Sequence, residues 1–202
     1  MNPPAVRALD YFDQCYQRDD PFGYRSLWYE RRKRDILLSC LDRPRYADAW
    51  EPGCSNGELT LLLAERCERL LATDVSARAV QITSRRNAAN QGVQVRRAEH
   101  PGDWPAQRFD LIVFSEIGYY LDEATLGQTA RRLAGSLADG GLLLACHWLA
   151  PFAEAATSTH EVHQCLAAAL DRPCTLHYQD DDFLLQGWSD APQSVAQREG
   201  LR

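Results

Sequence analysis

The chain has 202 residues, 45% of them hydrophobic and 25% charged, and carries a net charge of −6 at pH 7. That is material for one sizeable core, with no basic field to hold nucleic acid, and apolar runs such as residues 142–146 fall far short of the ~20 residues that span a bilayer. Seven cysteines, an odd number without a Cys-x-x-Cys pair, argue for free thiols; with no leader-like apolar stretch at the start, they point to a cytoplasmic protein.

In chain order, the first 45 residues read as a helical extension. Ser26 is expected to cap a helix over 26–41, and Asp42-Arg43-Pro44 to end it. A short strand over 47–51, a glycine-bearing turn over 52–57 and a helix over 58–66 follow, with Leu59, Leu62 and Leu63 on one stripe. A second strand is expected over 70–75, then a helix capped by Ser76 and running to about Asn90, then a strand over 93–98. The run Phe-Asp-Leu-Ile-Val-Phe-Ser over 109–115 reads as a strand covered on both faces. A helix over 122–137 is stopped by Asp139-Gly140-Gly141 ahead of a strand over 142–148. Ser158 and Glu161 form a capping box for a helix to about Leu170, and segments 174–178 and 183–188 pair as a hairpin.

This alternation predicts an α/β fold: a doubly wound, mostly parallel seven-stranded sheet with a C-terminal antiparallel hairpin and an N-terminal helical extension. One domain is expected over 1–202, with an extension or lid over 1–45 and the sheet core over 46–190. In such sheets a ligand sits beyond the carboxyl ends of the strands. The turns after Glu51, Asp74, Ala98, Ser115 and His147 therefore hold the candidate residues.

The first turn is Glu51-Pro-Gly53-Cys54-Ser-Asn56-Gly57. Its glycines let the backbone approach a ligand, and its helix-start amides favour polar groups. Asp74, with Val75 and Ser76 behind it, ends the next strand, where a carboxylate accepts both hydroxyls of an adenosine ribose. A dinucleotide fingerprint needs Gly-x-Gly-x-x-Gly for a pyrophosphate. Here an acid precedes the turn: Glu51 repels phosphate and pairs with an ammonium. That favours S-adenosylmethionine over NAD as the cofactor.

These residues, with the block Ser115-Glu116-Ile117-Gly118-Tyr119-Tyr120 and the segments Asp20-Pro-Phe-Gly-Tyr24, Tyr29-Glu-Arg-Arg32-Lys33-Arg34 and Glu161-Val-His163, resemble class I methyltransferases of the nodulation protein S branch. The sequence departs from that group at Phe22 and Asn56. The resemblance implies a Rossmann-like methyltransferase fold and S-adenosylmethionine-dependent N-methylation of an aminosugar or oligosaccharide amine. It also implies that Tyr29, Arg32 and Lys33 close over the cofactor, where a cation engages the methionine carboxylate; Trp28 is the expected shield against water.

Asp103 and Trp104 are candidates for the adenine, one accepting from its amino group and the other covering its face. Ser115 and Glu116 reach the reactive centre. Tyr119 and Tyr120 offer aromatic faces to a sulfonium, and Glu116, a charge following a buried strand, needs a partner. An amine acceptor must arrive neutral, and Glu116, His147 and His163 stand as alternative proton acceptors. The string His160-Glu-Val-His163 lacks the zinc-motif spacing, so no metal is expected. The partner is a small or oligosaccharide amine, not nucleic acid or a membrane; oligomeric state is left open. Two rival readings are a non-catalytic S-adenosyl-ligand binder and an NAD-dependent reductase.

Overall fold

A computed structural model describes residues 8–202; the part of the expected extension at 1–7 lies outside the described residues. The elements in order are α1 (Ala8–Cys15), α2 (Trp28–Ser39), β1 (Tyr46–Pro52), α3 (Glu58–Ala64), β2 (Cys67–Asp74), α4 (Ala77–Arg86), β3 (Val93–Arg97) and β4 (Phe109–Ser115). A 3-10 turn (Gly118–Tyr120), α5 (Glu123–Ser136), β5 (Leu137–Trp148), α6 (Thr159–Leu170), β6 (Cys174–Gln179), β7 (Phe183–Ser189) and α7 (Val195–Arg198) complete it.

The seven strands form one sheet in the order β3-β2-β1-β4-β5-β7-β6. The β1–β5 pairings are parallel, and β7 runs antiparallel to both β5 and β6. The order reverses between β1 and β4, so the crevice beyond those two strands is the switch point. Side-chain alternation explains why both faces are covered. Ile112 and Phe114 of β4, with Leu143 and Ala145 of β5, pack under α5 and α6 against Leu133, Val162 and Leu166. Their neighbours Leu111, Val113, Leu142 and Leu144 face the other way, onto Leu37 of α2 and Leu63 of α3. Trp50 is fully buried between β1 and the helices, with its Nε1 donating to Thr73 Oγ1 at 3.1 Å.

Several expected boundaries move. Ser26 is exposed and does not cap α2. The amides of Ser26 and Leu27 instead donate to Gly23 O at 3.1 and 3.0 Å, so a tight turn launches the helix. The expected capping residues Ser76 and Ser158 accept from Ala79 N and Glu161 N. β2 begins earlier than expected, and α4 ends at Arg86 rather than near Asn90. α5 ends at Ser136, ahead of the expected stop at Asp139-Gly140-Gly141, which lies inside β5, where the register against β4 shifts and Gly140 takes φ +67.

Candidate active site

Parallel pairing sets Glu51 opposite Ala72 and Pro52 opposite Thr73, so Glu51 and Asp74 emerge side by side at the carboxyl edge. The turn after β1 is bound to β2 because the amides of Gly53 and Cys54 both donate to Thr73 O, at 2.7 and 2.9 Å. Gly53 has φ +80, and a Cβ there would lie 2.4 Å from Ile117 Cγ2, so this position admits only glycine without strain. Gly57, at φ +77, starts α3. The fully buried Asn56 donates to Asp20 Oδ1 at 3.0 Å and so ties residues 19–20 to the turn.

Asp74 is gripped from both sides. Ser55 N donates to its Oδ2 and Ser76 N to its Oδ1, each at 2.9 Å. Burial nevertheless pushes its carboxyl up to about 6, because the amides offset only part of the desolvation. Glu51 is more extreme. It accepts Thr60 Oγ1 at 2.6 Å, and burial, against that hydrogen bond, pushes it up to about 8. Among the described residues no cation pairs with it.

The two carboxylates line adjoining cavities. The first, about 470 Å³, holds Glu51 with Lys33, Arg34, Cys54 and Asn56 on its walls. The second, about 880 Å³, holds Asp74 with Val75, Ala98, Glu99 and His100. Tyr24, Gly53, Ser55, Ser115 and Glu116 line both, so the two cavities adjoin and together make the crevice between Glu51 and Asp74.

In the first cavity Lys33 Nζ lies 3.2 Å from Glu30 Oε2 and 3.4 Å from Glu116 Oε1. Burial alone would lower its pKa, but the Glu116 and Glu30 carboxylates outweigh that and hold it charged. The positive charge is thus shared by two acids of the protein. Arg34 is different: its Nη1 donates to Tyr24 O at 2.6 Å, while its buried Nε has no partner. A buried carboxylate lacking a cation and a buried guanidinium with one N–H left unpaired face one cavity. The pair fits the ammonium and carboxylate of an α-amino acid, and the second cavity fits a ribose diol on Asp74.

Several expected contacts are not there. Trp28 is 67% exposed and stacks on Arg31 outside both cavities. Tyr29 packs edge-on against Phe183, and Arg32 reaches away to Tyr178 Oη (2.8 Å) and Asp180 Oδ2 (2.7 Å). Ser76 caps α4 and binds Asp13 Oδ1 at 2.6 Å, behind the second cavity. Asp103 is exposed and accepts from Glu99 N, and Trp104 packs on Trp50 with its Nε1 donating to Ser136 Oγ at 2.8 Å. Trp104 is half-buried and packs against the core; Ala98, Glu99 and His100, rather than it or Asp103, line the second cavity.

At the end of β4, Ser115 and Glu116 line both cavities and Tyr120 lines the second. Glu116 takes a left-handed backbone, φ +61. Tyr119 lies outside both cavities and donates to Glu116 Oε2 at 2.7 Å, while Oε1 has the Lys33 charge nearby but no hydrogen bond. His147 and His163 line neither cavity. His147 Nε2 accepts from Gly118 N at 3.1 Å, and its Nδ1 meets His163 Nε2 at 3.1 Å. Burial drives the pKa of His147 well below the ordinary imidazole value and that of His163 to about 4. Neither lines the crevice, whereas Glu116, the third candidate, does. Among the described residues no group of three or more metal-ligating side chains comes together.

Four residues escaped the sequence reading: Tyr24, Arg34, His100 and Tyr16. Arg34 was legible in principle. Glu30, Lys33, Arg34 and Leu37, the buried set of α2, follow i, i+3, i+4, i+7, which turns Arg32 outward. Tyr16 roofs the second cavity with Phe12 and Phe22, and donates to Ser55 Oγ at 2.6 Å. Its signal was an amphipathic first helix and little else.

Residues 7–145 match the family model of nodulation protein S (NodS). Nodulation protein S of Rhizobium tropici is 34% identical over 128 residues, covering 62% of this chain but only 54% of that protein, so the match spans about half the length of that curated relative. Among solved structures, a Pseudomonas syringae protein described as a candidate methyltransferase is 44% identical with a TM-score of 0.72, covering 81% of this chain and 99% of that one. N-methyltransferase NodS of Bradyrhizobium japonicum, in complex with S-adenosyl-L-homocysteine, shares the fold at 24% identity and a TM-score of 0.80, covering 91% of this chain and 98% of that one.

Proposed function

The chain belongs to the nodulation protein S family, and from that we propose that it is an S-adenosylmethionine-dependent N-methyltransferase acting on a small amine or aminosugar acceptor. The observation that carries this is the crevice joining Glu51 to Asp74, with an unpaired buried carboxylate at one end and a diol-accepting carboxylate at the other. The likeness to a solved N-methyltransferase crystallised with S-adenosylhomocysteine supports the same reading.

When bound, S-adenosylmethionine supplies an electrophilic methyl group on a sulfonium. Glu51 pairs with the amino group and Arg34 Nε takes the carboxylate. Asp74 uses its remaining lone pairs for the ribose hydroxyls, and the segment from Ala98 to His100 borders the adenine. Tyr24, Ser115 and Glu116 stand where the two cavities meet and would border the sulfonium end. Phe12, Phe22 and Tyr120 exclude water there, which strengthens every charge interaction and leaves alignment as the main source of acceleration. Glu116, held by Tyr119 at Oε2 and beside the Lys33 charge at Oε1, is the carboxylate lining the crevice to which the acceptor's ammonium passes its proton before transfer. Carboxylates outnumber cations along the crevice, which suits a cationic cofactor and an amine.

The segment before β1 acts as a lid through α1 and residues 22–24, within a single domain, and free thiols suit a reducing cytoplasm. The test is mass-spectrometric detection of a trideuteromethyl group moved from labelled S-adenosylmethionine to glucosamine and partly deacetylated chitooligosaccharides. Label on the amine nitrogen is expected. S-adenosylhomocysteine that fails to bind at millimolar concentration overturns the cofactor assignment; tight binding without transfer to any amine makes the protein a non-catalytic binder.

A further inference from the structure

His147, His163 and Gln186 sit on three different elements, β5, α6 and β7, yet form one unbroken chain of hydrogen bonds. It starts at the turn that carries Glu116 and Tyr120. Gly118 N donates to His147 Nε2 at 3.1 Å. A backbone N–H only donates, so that ring nitrogen carries a lone pair and the His147 proton sits on Nδ1. Nδ1 is 3.1 Å from His163 Nε2, which must therefore accept, placing the His163 proton on its own Nδ1. That proton meets Gln186 Oε1 at 2.8 Å, and the Gln186 amide nitrogen faces His177 Nδ1 at 3.0 Å. A single backbone amide thus fixes both buried tautomers and the amide orientation.

The turn at the head of this chain has no slack. A Cβ on Gly118 would lie 2.5 Å from Val162 Cγ1 and 2.8 Å from His147 Nε2. Tyr119 packs edge-on against His147, with ring centroids 5.4 Å apart, and its hydroxyl holds Glu116, whose own backbone is left-handed. Glu116 N is tied back to Cys146 O at 2.9 Å. The turn is thus anchored at Glu116 by β5 and at Gly118 by His147, and the carboxylate lies between the anchors.

We infer that His147, His163 and Gln186 are positioning residues: a neutral relay that clamps the Gly118 amide and thereby sets Glu116 and Tyr120 against the reacting centre. The inference rests on the methyltransferase reading for its kinetic consequence but not for the relay itself. A fully satisfied buried network of this kind specifies one geometry, and a broken one leaves His147 free to turn over its tautomer and release Gly118.

Long-range ¹H–¹⁵N spectra of the full chain test the relay directly, with His147 and His163 assigned by single substitution. Both rings are expected as neutral Nδ1–H tautomers; Nε2–H at either ring overturns the relay. For the kinetic consequence, His163→Leu removes the acceptor, whereas His163→Gln returns an amide oxygen near the Nε2 position. With S-adenosylmethionine and a glucosamine oligomer, His163→Leu is expected to lower kcat roughly 10-fold while the cofactor KM stays within about 2-fold, and His163→Gln to recover most of that loss. Equal losses in the two variants, or a change in KM alone, overturn the positioning role. If the wild type turns over no amine, the methyltransferase reading fails, and the tautomers alone then decide the relay.

Discussion

Glu51 makes the crevice a proton-linked site. In the unbound protein its carboxyl sits at about 8, against an ordinary value near 4.5. The folded value is the higher one, so the fold favours the neutral form. The stability this contributes is present at low pH and is lost as pH rises from about 4.5 through about 8. At pH 7 roughly nine-tenths of the unbound molecules carry the proton, by the ordinary titration relation. A ligand ammonium entering the first cavity reverses the balance: an opposite charge within hydrogen-bonding reach favours the carboxylate, and the proton leaves. Binding S-adenosylhomocysteine at pH 7 is therefore expected to release somewhat under one proton, roughly 0.7–0.9, since the ligand's own amine takes up a small fraction. Affinity then rises roughly 10-fold from pH 6 to pH 7, with a smaller share from Asp74, which titrates near 6. Calorimetry in buffers of different ionisation enthalpy measures the proton count. Glu51→Gln should abolish most of the release and flatten the pH dependence. Proton release unchanged in that variant, or no release in the wild type, refutes the pairing of Glu51 with the ammonium.

Five other substitutions separate the site from its surroundings. Asp74→Ala is expected to cost ~1.5–3 kcal/mol of S-adenosylhomocysteine binding, about 10- to 150-fold, because a charge-assisted pair of hydrogen bonds is lost; calorimetry reads it. Arg34→Met should weaken the same ligand by a similar amount, whereas Arg32→Met, whose side chain reaches Tyr178 and Asp180, should leave affinity within about 2-fold. Trp104→Phe removes the hydrogen bond to Ser136 and part of the packing on Trp50, so thermal unfolding should fall by ~1–2 kcal/mol while ligand affinity holds. Gly53→Ala forces a side chain into φ +80 and onto Ile117, and should lower Tm by several degrees, as expected for ~1–3 kcal/mol of strain.

What could be read from the chain, and what could not, follows from the range of the forces involved. Local period and caps announced the β4 run, the glycine turn, Ser76, Ser158 and the closing hairpin, because each is decided by residues a few positions apart. Glu51 and Asp74 were legible as a pair because both lie at strand ends, whose positions the parallel pairing fixes. The losses came where a residue's direction depends on something distant in sequence. Trp104 reads from the sequence equally as an adenine cover or a core plug, and only the packing on Trp50 and the bond to Ser136 place its ring and its Nε1. Arg32 and Lys33 enter through the family resemblance alone, because a basic run hides the phase of the helix; the buried stripe from Glu30 to Leu37 is what turns Arg34 inward. His147 and His163 read either as proton acceptors or as hydrogen-bonded core residues, and no local pattern announces that the Gly118 amide takes the His147 lone pair.

The most direct test of the crevice is a crystal structure of the chain with S-adenosylhomocysteine. The amino nitrogen is expected within hydrogen-bonding distance of Glu51, the ribose hydroxyls on Asp74 and the sulfur between Tyr24 and Glu116. A ligand bound elsewhere, or lying with its ribose at Glu51, contradicts that arrangement.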